Sequence, residues 1–274
     1  MSIVFALASA ASYGVSDFLG GLFAKKSSAW QVAIVGQSSS AVFAFILALF
    51  LTGTPVQADW LWAAASGLGG GFGAAFLYRG LSTGRMSVVA PISAIGSALL
   101  PVVVGLALGD RPGALAVIGI IFAFPAIYLI SRVTEHTVNT GGVLDGVLAG
   151  LGFGALFTLI GQVDADAGMM PIALMQVTAV LAVILTATVL RAQWVPRNRQ
   201  AWSATMMGPL GAIATGAFLY ATHDGLLSIV SVIASLYPAT TVLLAAVILH
   251  ERIHRAQGVG LALAVVAVGL VAAG

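Results

Sequence analysis

Apolar residues run through this chain in stretches about as long as a bilayer is thick, roughly 20 residues each, divided only by short polar breaks. Windows of about 19 residues place spans near 2–23, 30–52, 60–79, 86–108 and 113–131, then near 142–162, 171–190, 202–222, 227–249 and 256–273. Each span is read as a helix, because Gly and Pro are scattered throughout and an open strand leaves its backbone groups unsatisfied in lipid. The breaks carry turn chemistry: Thr52-Gly53-Thr54-Pro55, Gly109-Asp110-Arg111-Pro112, Asn139-Thr140-Gly141-Gly142, and Met170-Pro171, with Pro171 placed to start a helix. The first stretch, Met1 to about Leu22, lacks the basic leading region of a secretory signal and has a counterpart in mid-chain, so it is expected to stay as a span.

The chain also repeats itself. A shift of 141 carries Gly67, Gly70, Gly84, Ser87, Val89, Ile92, Arg111 and Gly119 onto Gly208, Gly211, Gly225, Ser228, Val230, Ile233, Arg252 and Gly260, and Asp110 onto Glu251. A shift of 140 carries Ala6, Ala10 and Gly14 onto Gly146, Gly150 and Gly154, and one of 139 carries Gln37 onto Gln176. The polar stretch from Ser131 to Gly142 is the seam, giving repeats over 1–135 and 140–274. Five spans per repeat is an odd number, so the halves lie in opposite orientations across the membrane. The expected fold is therefore an all-α integral membrane protein of ten transmembrane helices, two inverted five-helix repeats around a central cavity.

Composition agrees. Charged residues make up 7% and hydrophobic ones 60% of the chain, against roughly 25% charged in an ordinary soluble domain. The polar surface that a water-soluble protein needs is missing. The absence of cysteine excludes disulfides and thiolate nucleophiles or metal sites, and a net charge of +2 carries no nucleic-acid signal. Odd-numbered loops hold Lys25, Lys26, Arg79, Arg85, Arg132, Arg191, Arg197, Arg199, Arg252 and Arg255, whereas even-numbered loops hold only Arg111. The positive-inside bias puts the odd loops in the cytoplasm and both termini outside.

The run Ser235-Leu236-Tyr237-Pro238-Ala239-Thr240-Thr241, continuing to Leu249-His250-Glu251-Arg252, resembles the ninth helix and following corner of the drug/metabolite transporter superfamily, EamA type. The first half carries a degraded copy ending Leu108-Gly109-Asp110-Arg111. There Asp stands for the usual Glu, and Ser97 stands where the second half has Pro238, with prolines at Pro91 and Pro101 instead. Helix count, duplication and length extend the resemblance over the whole chain. It implies export or exchange of small metabolites, with amino acids prominent and aromatic ones among them, across a bacterial cytoplasmic membrane. It also implies cytoplasmic termini, opposite to the orientation that the charges give.

Polar groups inside spans are costly and so mark function. Asp17 is the one carboxylate well inside a span, a candidate to pair with a cation or to carry a proton once desolvated. Arg79 lies at similar depth, so an Asp17–Arg79 pair is compatible with the spans; a structural pairing of Asp17 with Lys25, Lys26 or Arg79 is the alternative. Gln37 and Gln176 hold matching positions from which each amide donates and accepts, toward substrate or toward another helix. Tyr13, Tyr78 and Tyr237 offer a ring and a hydroxyl to an amphipathic substrate, Tyr237 from mid-helix beside Pro238. Ser93, Ser231 and Ser235 lie near the same depth, although serine commonly bonds back to its own helix. Pro101 and Pro238 each remove a backbone donor within a span and are the expected gating bends.

Other motifs are structural. Gly67 to Gly73, and Gly142, Gly146, Gly150 and Gly154, follow no strand and fall on helical faces, which suits close helix packing and not a phosphate loop. His223-Asp224 and His250-Glu251 sit at span ends without metal-ligand spacing, and no nucleophile elbow occurs, so no metal, cofactor or enzyme chemistry is expected. The lining candidates are mostly Tyr, Gln and Ser, which favours a neutral or zwitterionic metabolite such as an amino acid; phosphorylated substrates would call for several buried Arg or Lys. A multidrug or cation exporter, a membrane enzyme and a non-transporting scaffold are the competing classes.

Overall fold

The computed structural model describes residues 1–24, 26–82, 86–131 and 142–274. Lys25, Arg85, Arg132 and most of the mid-chain seam lie outside the described residues, as does the side chain of Tyr78. The described chain is all-helical. It runs α1 (Ser2–Ala24), α2 (Ala29–Ala48), α3 (Gln57–Ser82), α4 (Met86–Leu108), α5 (Ala114–Ser131), α6 (Val143–Ile160), α7 (Met170–Val189), α8 (Met207–Asp224), α9 (Leu227–Ala234), α10 (Tyr237–Ile248) and α11 (Arg255–Ala273). Counting α9 and α10 as one span, nine spans among the described residues are long and apolar enough to cross a membrane. The tenth is α3, which carries Asp59, Arg79 and a run of glycines, and whose 26 residues reach about 39 Å.

The ninth span is broken where the sequence suggested one helix over 227–249. Pro238 has no N–H to give, and its ring collides with the carbonyl four residues back, that of Ala234, where α9 ends. Tight turns at Ser235 and Leu236 carry the chain across, and α10 restarts at Tyr237 with Pro238 in its first turn. By contrast, α4 continues through both Pro91 and Pro101. Helix α8 is entered through a 3-10 turn at Ala201–Met206 and so begins later than its apolar pattern suggests.

Packing follows the duplication. Exchanging α1 with α6, α2 with α7, α3 with α8, α4 with α9 and α10, and α5 with α11 relates the main helix seams: α3 lies on α6 and α7, as α8 lies on α1 and α2, while α2 meets α7, α4 meets α9 and α5 meets α11; the α4–α5 contact has no comparable image between α10 and α11. These contacts are close because lipid offers no hydrophobic drive between helices, and small residues let backbones touch. A β-carbon at Gly67 or Gly71 would strike the backbone of α7, and one at Gly69, Gly73 or Gly152 would strike the facing helix across the α3–α6 seam. Gly96 and Gly150 stand against each other where α4 crosses α6.

The loops sort into two ends. At one, loops 2 and 6 are stitched by Thr54 N–H to the Asp166 carbonyl (2.8 Å) and by the buried Asp59, which accepts from the N–H groups of Val56 and Asp164 (2.8 Å each). This acidic end carries Asp59, Asp110, Asp164, Asp166 and Asp224 against Arg111. The other, basic end joins loops 1 and 7 through the Ser28 hydroxyl to the Gln193 carbonyl (3.2 Å) and the Asn198 amide to the Lys26 carbonyl (3.3 Å).

Substituting Gly150→Leu forces apart α4 and α6 and is expected to cost about 1–3 kcal/mol. Gly21→Ala, where nothing lies within 4 Å of the added carbon, is expected to be neutral or stabilising through helix propensity. Unfolding midpoints of the solubilised protein check both.

Candidate functional site

A cavity of about 110 Å³ lies among α1, α2, α3, α6, α7, α8 and the start of α10. A cavity of ~150 Å³ takes up benzene, so this one suits a compact metabolite. Of the residues singled out from sequence, Tyr13, Asp17, Gln37, Gln176 and Tyr237 line it. They come from both halves, and the repeat explains how: the shift of 140 pairs Tyr13 with Phe153 and Asp17 with Phe157, the shift of 139 pairs Gln37 with Gln176, and all six face the one space.

Asp17 keeps its carboxyl open to this space although it lies deep in α1. Among the described residues, the side chains of Asp17, Gln37, Gln176 and Tyr237 make no hydrogen bond or ion pair, and Asp17 is the sole carboxylate in a lining without Lys, Arg or His. The Tyr13 hydroxyl meets Thr215 Oγ1 at 2.8 Å; since Thr215 donates to the Gly211 carbonyl (3.0 Å), Tyr13 is the donor. The break in the ninth span delivers Tyr237. Gly14 admits the Tyr237 carbonyl and Thr240 against α1, and the Thr241 hydroxyl bonds the Gly14 carbonyl at 3.0 Å.

The remaining sequence candidates lie elsewhere. Arg79 does not reach Asp17; its Nε donates to Asp145 Oδ1 at 2.7 Å, its Nη2 contacts the same oxygen, and its guanidinium lies 4.5 Å from the Phe76 ring centroid. Asp145, in the first turn of α6, is the nearer carboxylate at the basic end. Ser93, Ser231 and Ser235 are fully buried outside the lining. Ser235 instead meets Ser97 at 3.2 Å where α4 crosses the broken span. Pro101 and Pro238 are likewise outside the lining, Pro238 acting through the break that exposes Tyr237.

The cavity is lopsided with respect to the repeat. Ala33, Leu77 and Met207 line it toward the basic end, whereas their duplicates, Ile172, Phe218 and Ser66, lie outside the lining. Phe218 stacks on Phe157 at 4.7 Å between ring centroids, and Phe157 meets the Tyr13 ring edge-on at 5.8 Å. Toward the acidic end this aromatic layer and the stitched loops 2 and 6 fill the space.

A hollow within a duplicated helical bundle, lined by unpaired polar groups and plugged at one end, is the architecture of a solute carrier. The chain belongs to the EamA-like transporter family, whose model matches residues 1–132 and again 140–273. Members of that family are membrane transporters of the drug/metabolite kind and not enzymes. A protein of known crystal structure has the same fold, with a TM-score of 0.74 at 15% identity over 98% of this chain and 95% of its own. No curated protein matches the chain.

The two carboxylates have separable roles. Asp145→Ala removes the carboxylate to which Arg79 donates and is expected to lower stability by about 1–3 kcal/mol. Asp17→Asn removes a charge that no group among the described residues compensates, so the unfolding midpoint is expected to hold or rise. Parallel melts of the two variants in one detergent check this.

Proposed function

We propose that this protein is a secondary transporter that exports or exchanges small neutral or zwitterionic metabolites bearing an ammonium group, amino acids first among them, by alternating access. The observation that carries the reading is the set of unpaired polar groups facing one hollow: the Asp17 carboxylate, the amides of Gln37 and Gln176, and the Tyr237 hydroxyl. A carboxylate in a low-dielectric space pairs with an ammonium. The two amides donate to a carboxylate, and the rings of Tyr13, Phe153, Phe157 and Tyr237 take an apolar side chain. Burying a polar group unpaired is costly, so a solute that pairs these groups is held selectively.

The halves, residues 1–135 and 140–274, are the bodies that rock in this reading, with the bends at Pro101 and Pro238 as gates. Asp17 binds a proton when no ammonium is present, which gives proton exchange as the driving force. The positive-inside bias supports a cytoplasmic basic end and a cavity that loads from the cytoplasm of a bacterial inner membrane. Arg79, Ser93, Ser231 and Ser235 then serve the frame around the cavity.

The second reading is an exporter of cationic compounds. One observation favours it: the lining holds a carboxylate and no base, so a substrate without a carboxyl group leaves no anion unpaired.

Counterflow in liposomes separates the two. The first reading expects labelled amino acids to be taken up by the wild type and the rate to fall at least tenfold in Asp17→Asn. Uptake of simple organic cations alone would establish the second. An absence of any solute-stimulated uptake by correctly folded protein would sink both.

A further inference from the structure

At the acidic end, α4 finishes in a corner and α9 starts beside it. Gly109 takes a left-handed φ of 113°, and the Asp110 N–H bonds back to the Gly105 carbonyl at 2.9 Å. The turn aims the Asp110 carboxylate at the first turn of α9, where it accepts the Ser228 N–H at 2.8 Å. That N–H has no partner within its own helix, and the carboxylate also meets the positive end of the helix dipole. The bond ties the end of α4 in the first half to the start of α9 in the second.

The basic end carries the duplicate. The shift of 141 places His250 on Gly109, Glu251 on Asp110, Arg252 on Arg111 and Ser228 on Ser87. The corner is similar: His250 takes a left-handed φ of 56°, and the Glu251 N–H bonds back to the Ala245 carbonyl at 3.3 Å, one residue further back than in the first half. A residue with a β-carbon seldom adopts that conformation, so the corner is kept without the glycine that would ease it. Yet the Glu251 side chain is exposed, and among the described residues it makes no hydrogen bond or ion pair.

We infer that Asp110 and Glu251 are alternate latches: Asp110 clasps the start of α9 while the acidic end is sealed, and Glu251 clasps the start of α4 when the basic end closes. This rests on the alternating-access reading. The helices that the corners clasp cross at Ser97 and Ser235, midway along α4. A modest rotation about that crossing parts one pair of ends as it joins the other. The acid is held in the state seen here and its duplicate waits unpaired, which is the arrangement that a two-position lever requires.

The chain has no cysteine, so single-cysteine reporters read each end without background. Leu77→Cys, which lines the cavity and is only partly buried, reports the basic-end mouth, and Ser66→Cys, fully buried now, reports the sealed acidic end. In the full chain in liposomes, Asp110→Asn is expected to speed maleimide labelling of Ser66→Cys about tenfold, the equivalent of one charge-assisted hydrogen bond, and to slow labelling of Leu77→Cys. Ser228→Pro, which removes the donor at a position where helix starts accept proline, is expected to do the same, while Asp110→Glu stays near the parent. Glu251→Gln is expected to act in the opposite direction, slowing Ser66→Cys. If Asp110→Asn and Ser228→Pro both leave the labelling rates within twofold of the parent, or if Glu251→Gln shifts them the same way as Asp110→Asn, the latch pair is wrong. Labelling needs no solute, so opposite shifts without counterflow would sink the substrate reading and keep the latches.

Discussion

Close contact between helix backbones is the constraint on which the rest of this structure depends. In lipid, burying an apolar face against another helix gains little over leaving it in hydrocarbon chains, so association rests on van der Waals packing and on what small residues permit. The glycines of α3 show the consequence. Gly67 and Gly71 bring it against α7, and Gly69 and Gly73 bring it against α6, so one helix of the first half is wedged between two of the second. The wedge accounts for the glycines of α3, the least lipid-like span: they are spent on α6 and α7, and the helix tolerates Asp59 and Arg79 at its ends because loops 2 and 6 and Asp145 receive them.

The hollow lies where α1, α2 and α8 meet α3, α6 and α7. The broken ninth span completes it. The span breaks between Ala234 and Tyr237 at Pro238, and Tyr237, at the restart, lines the cavity with Asp17.

Much of this was legible in the sequence, and the exceptions have physical reasons. Span count, helical class and the matched glutamines followed from apolar length and from the repeat, which are properties of the chain alone. Tyr237 was legible because Pro238 marks a place where a helix must yield. The partner of Arg79 was not: Asp17 lies deep in α1 and Asp145 in the first turn of α6, and it is the packing of α3 against α6 that brings Arg79 to Asp145. Ser93, Ser231 and Ser235 are fully buried outside the lining, and Ser235 meets Ser97 where α4 crosses the ninth span. Thr215 and Met207 were missed because, in an apolar alphabet, nothing distinguishes lining from packing. Phe153 and Phe157 could have been found by carrying Tyr13 and Asp17 across the repeat.

That last correspondence shows what the duplication preserved and what it gave up. The main helix seams survive in both halves: α3 against α6 and α7 has its image in α8 against α1 and α2. The lining has no such tie. Tyr13 and Asp17 face Phe153 and Phe157 across the cavity, a hydroxyl and a carboxylate on one side and two bare rings on the other. A pair of carboxylates there would repel each other in a space with no base to offset them, whereas one carboxylate against aromatic faces makes a site for a single positive group. Symmetry therefore governs the scaffold and asymmetry governs the chemistry: the halves can exchange roles as walls, but the charge that meets a solute stays with α1.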